Sequence, residues 1–163
     1  MKAIKILSAV LGGLVFSTFA LASEADTSAG VSKGPLVGGN AANASAHYEG
    51  NIGFARMATN TGRVNTARGV AVGVDNEGLT LSISTALATR LGPALAANFN
   101  ISIERDGDVS TSRALTVAEG PLGKEASAGG SATTARYDNG SIAWGRGNAP
   151  LGRAIVKTIA RSR

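Results

Sequence analysis

The chain has 163 residues, no cysteine and a formal net charge of +5 at neutral pH. Without cysteine it can form no disulfide, thiolate nucleophile or zinc–thiolate site, so its fold depends on packing, hydrogen bonds or assembly. The length suits about one domain. Part of the positive charge lies at the N-terminus, and the remainder is too small to indicate a nucleic-acid-binding protein.

The N-terminal residues 1–22 have the three parts of a secretory signal peptide. Lys2 and Lys5 supply the positive charge, an apolar run follows, and an A-x-A cleavage site ends at Ala22. The run is short for a transmembrane helix and no basic cluster follows it, so we expect cleavage rather than anchoring. A lysine-led signal and the lack of cysteine are typical of a bacterial protein, and they predict export to the periplasm or the cell exterior.

The composition leaves little material for a hydrophobic core. The chain has 22 glycines, and only 4% of its residues are aromatic. Aromatic side chains normally carry much of the buried area of a domain. We therefore expect either thin, closely stacked sheets or a partner that completes the core.

The segments after the signal differ in character. Residues 23–46 are rich in Ser, Ala, Gly and Asn and show no hydrophobic period, so we interpret them as a flexible leader or a weakly docked strand. An antiparallel β domain is predicted over residues 47–149, where glycines at turns recur at intervals of 14 to 17 residues. These glycines are Gly62, Gly78, Gly92, Gly107, Gly123 and Gly140.

The best-specified stretch, residues 70–117, alternates apolar and polar residues. Leu79, Leu81 and Ile83 share one strand face, and Thr80, Ser82 and Ser84 share the other. This period of two is typical of antiparallel strands with one apolar and one polar face. We predict an all-β fold, an antiparallel meander of about seven strands, arranged as a sandwich or an open barrel with a possible short C-terminal helix.

Residues 85–97 are ambiguous because their Ala and Leu content favours a helix. Gly92-Pro93 interrupts them, and proline breaks a helix interior but suits a turn. We favour two strands joined by this turn over a short helix inserted in the sheet.

Residues 150–163 form a basic C-terminal segment. Arg153, Lys157 and Arg161 recur every four residues, which predicts one face of an amphipathic helix. This face is a possible anion-binding site for an anionic polymer or a membrane surface. Three charges are few for such a site, so a solvated helix face that covers the sheet is the preferred interpretation.

No pattern of catalytic, metal-binding or cofactor-binding residues emerges from the sequence. His47 is the only histidine, and no metal or triad spacing surrounds it. Asp106 and Asp108 could be half of a calcium loop, but the other ligands of such a loop are missing and turn chemistry explains both residues. We therefore expect a non-enzymatic protein without a cofactor.

The leading hypothesis is an exported structural or cell-surface protein that self-associates through strand edges. Long strands, small side chains and a thin core favour it, although Arg90, Arg105 and Arg113 could instead guard the edges against pairing. The alternative is a monomeric periplasmic or extracellular binding module whose basic C-terminal face takes an anionic ligand. An enzyme that uses carboxylates ranks third, because no two acids can be placed in one site.

Overall fold

The computed structural model describes residues 23–35, 39–134, 139–148 and 155–162, and the predicted signal peptide lies outside these ranges. Within them the chain forms strands only, and no helix. The strands are β1 (Glu24–Lys33), β2 (Ala41–Glu49), β3 (Ile52–Asn60), β4 (Val64–Val74), β5 (Gly78–Thr89), β6 (Ala94–Glu104), β7 (Val109–Glu119), β8 (Gly123–Thr133), β9 (Gly140–Asn148) and β10 (Ile155–Ser162).

These strands form two antiparallel sheets that stack face to face. The six-stranded sheet has the order β10-β7-β6-β5-β4-β3, and the four-stranded sheet has the order β2-β1-β8-β9. From β3 to β7 the larger sheet is a meander, because short turns connect antiparallel neighbours. In the smaller sheet, β1 pairs with β8 and so joins two hairpins that are distant in sequence. The predicted all-β, antiparallel, sandwich-like fold is thus confirmed.

The face of each sheet that points between the sheets carries small side chains. Alanines and Val31 form the apolar part of this interior, and Ser, Thr and Asn form most of the rest. Along β5 and β6 these buried positions alternate with larger aliphatic residues on the outer face. The polar face of the predicted alternation therefore points inward. The inward residues of these strands are Thr80, Ser82, Ser84, Ala86, Ala88, Ala94, Ala96, Asn98, Asn100 and Ser102.

Hydrogen bonds between polar side chains join the two sheets. Thr27 Oγ1 of β1 lies 2.7 Å from Ser82 Oγ of β5. Asn100 Nδ2 of β6 donates to the Gly140 carbonyl oxygen of β9 at 2.7 Å. A buried polar group without a partner costs about 1–3 kcal/mol, so these bonds remove the main penalty of a polar interior. We call the set the polar layer, and it comprises Thr27, Ser82, Ser84, Asn98, Asn100 and Ser141.

Close approach of the sheets requires glycine at particular positions. A Cβ added to Gly130 of β8 would lie 2.5 Å from Asn100 Nδ2 and 2.6 Å from Asn98 Oδ1, and would overlap the Gly140 carbonyl oxygen. A Cβ added to Gly69 of β4 would lie 3.2 Å from the Thr27 Cβ in the opposite sheet. The sheets therefore stack as thinly as the composition predicts.

Two sequence predictions about the strands are wrong. The described residues form ten strands rather than about seven, and residues 155–162 form β10 instead of a C-terminal helix. β10 pairs with β7 along its whole length, and this ladder outweighs the weak helix preference of a short segment. Ile155, Lys157 and Ile159 share a strand face as a result. This combination of apolar and charged residues on one face is tolerated because the face belongs to the outer, solvent-facing side of the sheet.

The sequence also supports predictions for two further segments, residues 23–46 and residues 85–97. Residues 23–46 are predicted as a flexible leader or a weakly docked strand, and in the structure Glu24–Lys33 is a central strand of the smaller sheet and β2 begins at Ala41. This segment shows no hydrophobic period because the interior accepts Ala and Thr where most domains bury larger residues. The two-strand interpretation of residues 85–97 is confirmed, because Gly92-Pro93 lies in the turn between β5 and β6.

The close packing predicts that Gly130→Ala lowers the free energy of unfolding by about 1–3 kcal/mol, because the added methyl group overpacks the interior. Gly140→Ala is the matched control, since nothing lies within 4 Å of its added Cβ. It should be neutral or slightly stabilising, because alanine loses less backbone entropy than glycine on folding. Urea unfolding of the three proteins measures both effects, and equal stabilities would contradict the packing analysis.

Candidate functional site

The largest side chains of the six-stranded sheet lie on its outer face. Ile52 is 72% exposed and Phe54 is 47% exposed, whereas the alanines of the interior between the sheets are buried. We call this surface the apolar face. Its residues are Ile52, Phe54, Val70, Val72, Val74, Leu79, Leu81, Ile83, Phe99, Ile101, Ile103 and Val109.

The strand register gathers these residues into continuous rows. Phe54 lies opposite Val72, Val72 opposite Leu81, and Leu81 opposite Ile101. Residues directly opposite on neighbouring strands have Cβ atoms about 4.5–5.5 Å apart, so each row is a band of touching apolar groups. One apolar residue at every second position, in strands that are in register, therefore builds one surface.

The apolar face is large for an exposed surface. Three rows on five strands cover roughly 24 by 20 Å, or about 500 Å², since strands lie about 4.8 Å apart and rows about 6.8 Å apart. Two further rows contain Leu87, Leu95, Leu115 and Val117 among polar residues, and extend the face to about 800 Å². Exposed apolar patches on monomers rarely exceed a few hundred Å², and larger ones mark interaction sites.

Arginines border the apolar face at both edges of the sheet. Arg56 lies on the edge strand β3, and Arg113 and Arg161 lie opposite each other on β7 and β10. These two arginines and Phe99 contribute to the lining of a cavity of about 220 Å³. Arg56 and these two arginines belong to one row of side chains that runs across the sheet. The charges lie at the margins of this row, and its centre is formed by Val70, Ile83 and Phe99.

The predicted anion-binding residues do not form a helical face. Lys157 and Arg161 are exposed on the outer face of β10, about 13 Å apart along the strand, and Arg153 lies outside the described residues. The structure instead brings Arg161 beside Arg113, which the sequence indicated only as an edge charge. Strand periodicity in residues 155–161 could have revealed this, because positions two apart share a strand face.

The isolated candidates from the sequence lie in unremarkable surroundings. His47 is exposed on β2, where its Nε2 lies 3.5 Å from Glu49 Oε1. The carboxylates of Glu104, Asp106 and Asp108 approach within 4.8 Å of one another at the β6–β7 turn. Asp106 Oδ1 accepts the Asp108 backbone N–H at 3.1 Å, which is the turn chemistry predicted for this residue. An exposed acidic turn of this kind is not by itself a metal site.

The outer face of the four-stranded sheet is polar and contrasts with the apolar face. Small residues dominate it, and Ser28 Oγ lies 2.8 Å from Ser45 Oγ. Burial raises the pKa of Glu24 at one end of this face, and the neighbouring carboxylates of Asp26 and Glu49 raise it further. A hydrogen bond from Ser131 and the proximity of His47 oppose this rise in the pKa.

Comparisons with known proteins do not identify the chain: no protein-family model, no curated protein and no solved structure matches it. In the part of the chain that the structure describes, no helix has the length and hydrophobicity needed to cross a membrane.

The raised pKa of Glu24 predicts a pH-dependent effect of Glu24→Gln. The folded state binds the proton more tightly than the unfolded state, so the carboxylate destabilises the protein above the folded pKa but not below the unfolded pKa. Glu24→Gln should therefore raise Tm at pH 7 and leave it unchanged at about pH 3. Thermal unfolding at both pH values tests this. Glu125→Gln is the control and should give no gain at pH 7, because Arg146 lies opposite it.

Proposed function

We propose that the protein is an exported, non-enzymatic structural or cell-surface protein that self-associates, and that two copies meet through the apolar face. One observation carries the proposal: the large aliphatic and aromatic side chains of the bigger sheet point away from the interior. In a self-sufficient sandwich such residues fill the space between the sheets. Here that space is filled by Ala, Ser, Thr and Asn, so no second layer of the described chain covers the large residues.

The area of the apolar face is sufficient for stable pairing. Burying about 500 Å² on each of two copies gives a hydrophobic gain on the order of 25 kcal/mol. Association costs roughly 4–15 kcal/mol in lost motional freedom, plus the ordering of side chains. The full outer face of about 800 Å² equals what each partner buries in an interface of standard size.

A second copy fits this surface because a twisted sheet packs well on another sheet of the same twist. Two such faces stack with strands within about 30° of parallel and side chains interdigitating. Pairing of the same face on both copies is the isologous arrangement that most homodimers use. It would give the protein, in the dimer, the hydrophobic core that the monomer lacks.

Association through strand edges, which the sequence predicts, remains a second route for the same function. β3 is exposed along most of its length and carries Arg56 as its one charged residue. β10, at the other edge of the same sheet, carries Lys157 and Arg161. Charged edges resist pairing, so β3 is the better candidate for extending the sheet into a neighbour.

A monomeric module for an anionic ligand is the second candidate function, and the position of Arg161 beside Arg113 favours it. If this function holds, the protein should bind a soluble anionic polysaccharide with an affinity that falls steeply as salt rises. Lys157→Gln/Arg161→Gln should then lower the affinity at least tenfold. Titration calorimetry of both proteins measures this, and unchanged binding would exclude the C-terminal strand as the site.

The proposed self-association predicts that Phe54→Lys/Ile103→Lys abolishes pairing of copies without unfolding the monomer. The lysines place charges within the buried surface, where their desolvation is costly, but remain in water when the copies separate. Sedimentation velocity of purified protein at high salt, which screens contacts between exposed charges, should show dimers or larger species for the natural chain over a range of concentrations and monomers for the variant.

Ile142→Lys/Trp144→Lys is the matched control for that experiment. Both residues are exposed on the outer face of the smaller sheet, and Trp144 is 47% exposed, the same fraction as Phe54. This variant should associate like the natural chain. Equal loss in both variants would indicate a general effect of added charge, and retention of dimers by Phe54→Lys/Ile103→Lys would exclude the apolar face.

A further inference from the structure

Charged residues are sorted toward opposite ends of the sandwich. The β2–β3, β4–β5 and β6–β7 turns lie at one end, together with the start of β1. This acidic end carries eight of the eleven acidic residues of the chain, and its described basic groups are Arg105 and His47. The eight are Glu24, Asp26, Glu49, Asp75, Glu77, Glu104, Asp106 and Asp108.

The opposite end contains a cleft lined by cations. Lys33 and Lys124, which lie opposite each other on β1 and β8, are only 8% and 5% exposed. The exposed side chains of Arg63 and Arg90 line the same cleft, whose volume is about 1120 Å³. The described acidic residues near this end, Glu119 and Glu125, are not among its lining residues. We call this feature the cationic cleft.

The buried lysines form hydrogen bonds to neutral oxygen atoms of the described residues. Lys124 Nζ donates to the Arg90 carbonyl oxygen at 3.2 Å and to the Gly92 carbonyl oxygen, and Lys33 Nζ donates to the Gly62 carbonyl oxygen. Neither forms an ion pair with a described residue. Burial lowers the pKa of Lys124 and Lys33 lowers it further, while Glu119 opposes this. Two adjacent buried ammonium groups repel each other, and an anion in the cleft would relieve this repulsion.

We propose that the cationic cleft of one copy receives the acidic end of a second copy, so that copies join head to tail. The proposal relies on the proposed self-association for the identity of the partner, but it uses a different surface from the apolar face. The contact joins two unlike surfaces, and such heterologous contacts produce an open chain of copies unless the rotation between them closes a ring.

Charge complementarity favours a second copy as the occupant. Glu77 and Asp108 are exposed at the tips of the β4–β5 and β6–β7 turns, where they project beyond the sheet. The cleft is larger than a small inorganic anion requires, because pockets of about 300–1,000 Å³ already hold drug-sized ligands. Arginine forks bind carboxylates in bidentate geometry, which suits Arg63 and Arg90 at the mouth of the cleft.

The test uses two variants that each neutralise one end, both made with Phe54→Lys, which weakens pairing through the apolar face without adding charge at the acidic end. Arg63→Gln/Arg90→Gln disables the cleft, and Glu77→Gln/Asp108→Asn disables the acidic end. None of these side chains is a donor or acceptor in the hydrogen bonds that shape the turns. In sedimentation velocity at low salt, each variant alone should be monomeric, with an association constant at least tenfold below that of the parent.

An equimolar mixture of the two variants is the decisive measurement. One variant keeps an intact acidic end and the other keeps an intact cleft, so the mixture should form dimers that cannot grow further. The parent should form longer species that dissociate as salt rises. Arg56→Gln/Arg68→Gln removes equal charge from the outer face between the two ends, and this control variant should associate like the parent.

Several results would overturn the proposal. They are a mixture that stays monomeric, a mixture that grows beyond dimers, and a loss of association in the arginine control variant equal to that in the end variants. Stabilisation of the protein by inorganic pyrophosphate without any dimers in the mixture would instead make the cleft a small-anion site. If the natural chain forms only face-to-face dimers, the head-to-tail contact fails and the proposed function stands. If it is monomeric at every concentration, both fail.

Discussion

The narrow interior between the sheets is the constraint on which the rest of this structure depends. Small hydroxyl and amide side chains such as Thr27, Ser82 and Asn100 form hydrogen bonds across it, and the packing around Gly130 leaves no space for a methyl group. An interior this thin has no room for Leu, Ile or Phe. The alternating strands must therefore turn their large residues outward. The polar layer and the apolar face are thus two consequences of one packing arrangement.

The meander also explains why acidic and basic residues lie at opposite ends of the molecule. Successive hairpin turns lie alternately at the two ends of a meander, so alternate turns of the sequence meet. The β4–β5 and β6–β7 turns use aspartate for local hydrogen bonds: Asp75 Oδ1 accepts the N–H of Glu77 at 2.8 Å, and Asp106 acts likewise. The β3–β4 and β5–β6 turns instead contain Arg63 and Arg90. The residue types used in the turns therefore determine how charge is distributed over the whole molecule.

The sequence predicts the class of fold because period and turn spacing are local signals. The alternation of Leu79 to Ser84 and the break at Gly92-Pro93 need no knowledge of the partner strand. The strand at residues 155–162 could not be predicted in this way, since it is stabilised by pairing with β7, which lies far away in the sequence. The cationic cleft could not be predicted from the sequence either, because Lys33 and Lys124 meet only through the pairing of β1 with β8. Contacts of this kind depend on topology rather than on local pattern.

Alternation alone cannot say which face of a strand is buried, because a period of two is the same from either side. Composition can decide, since the volume between two sheets must be filled from one face of each. With Ala, Ser and Gly abundant and aromatic residues scarce, small side chains form continuous inner faces on every central strand. Most of the scarce large residues then gather on one outer face, where a second copy can cover them. The same shortage that thins the monomer's core therefore concentrates its hydrophobic surface, and this is the physical basis for expecting assembly.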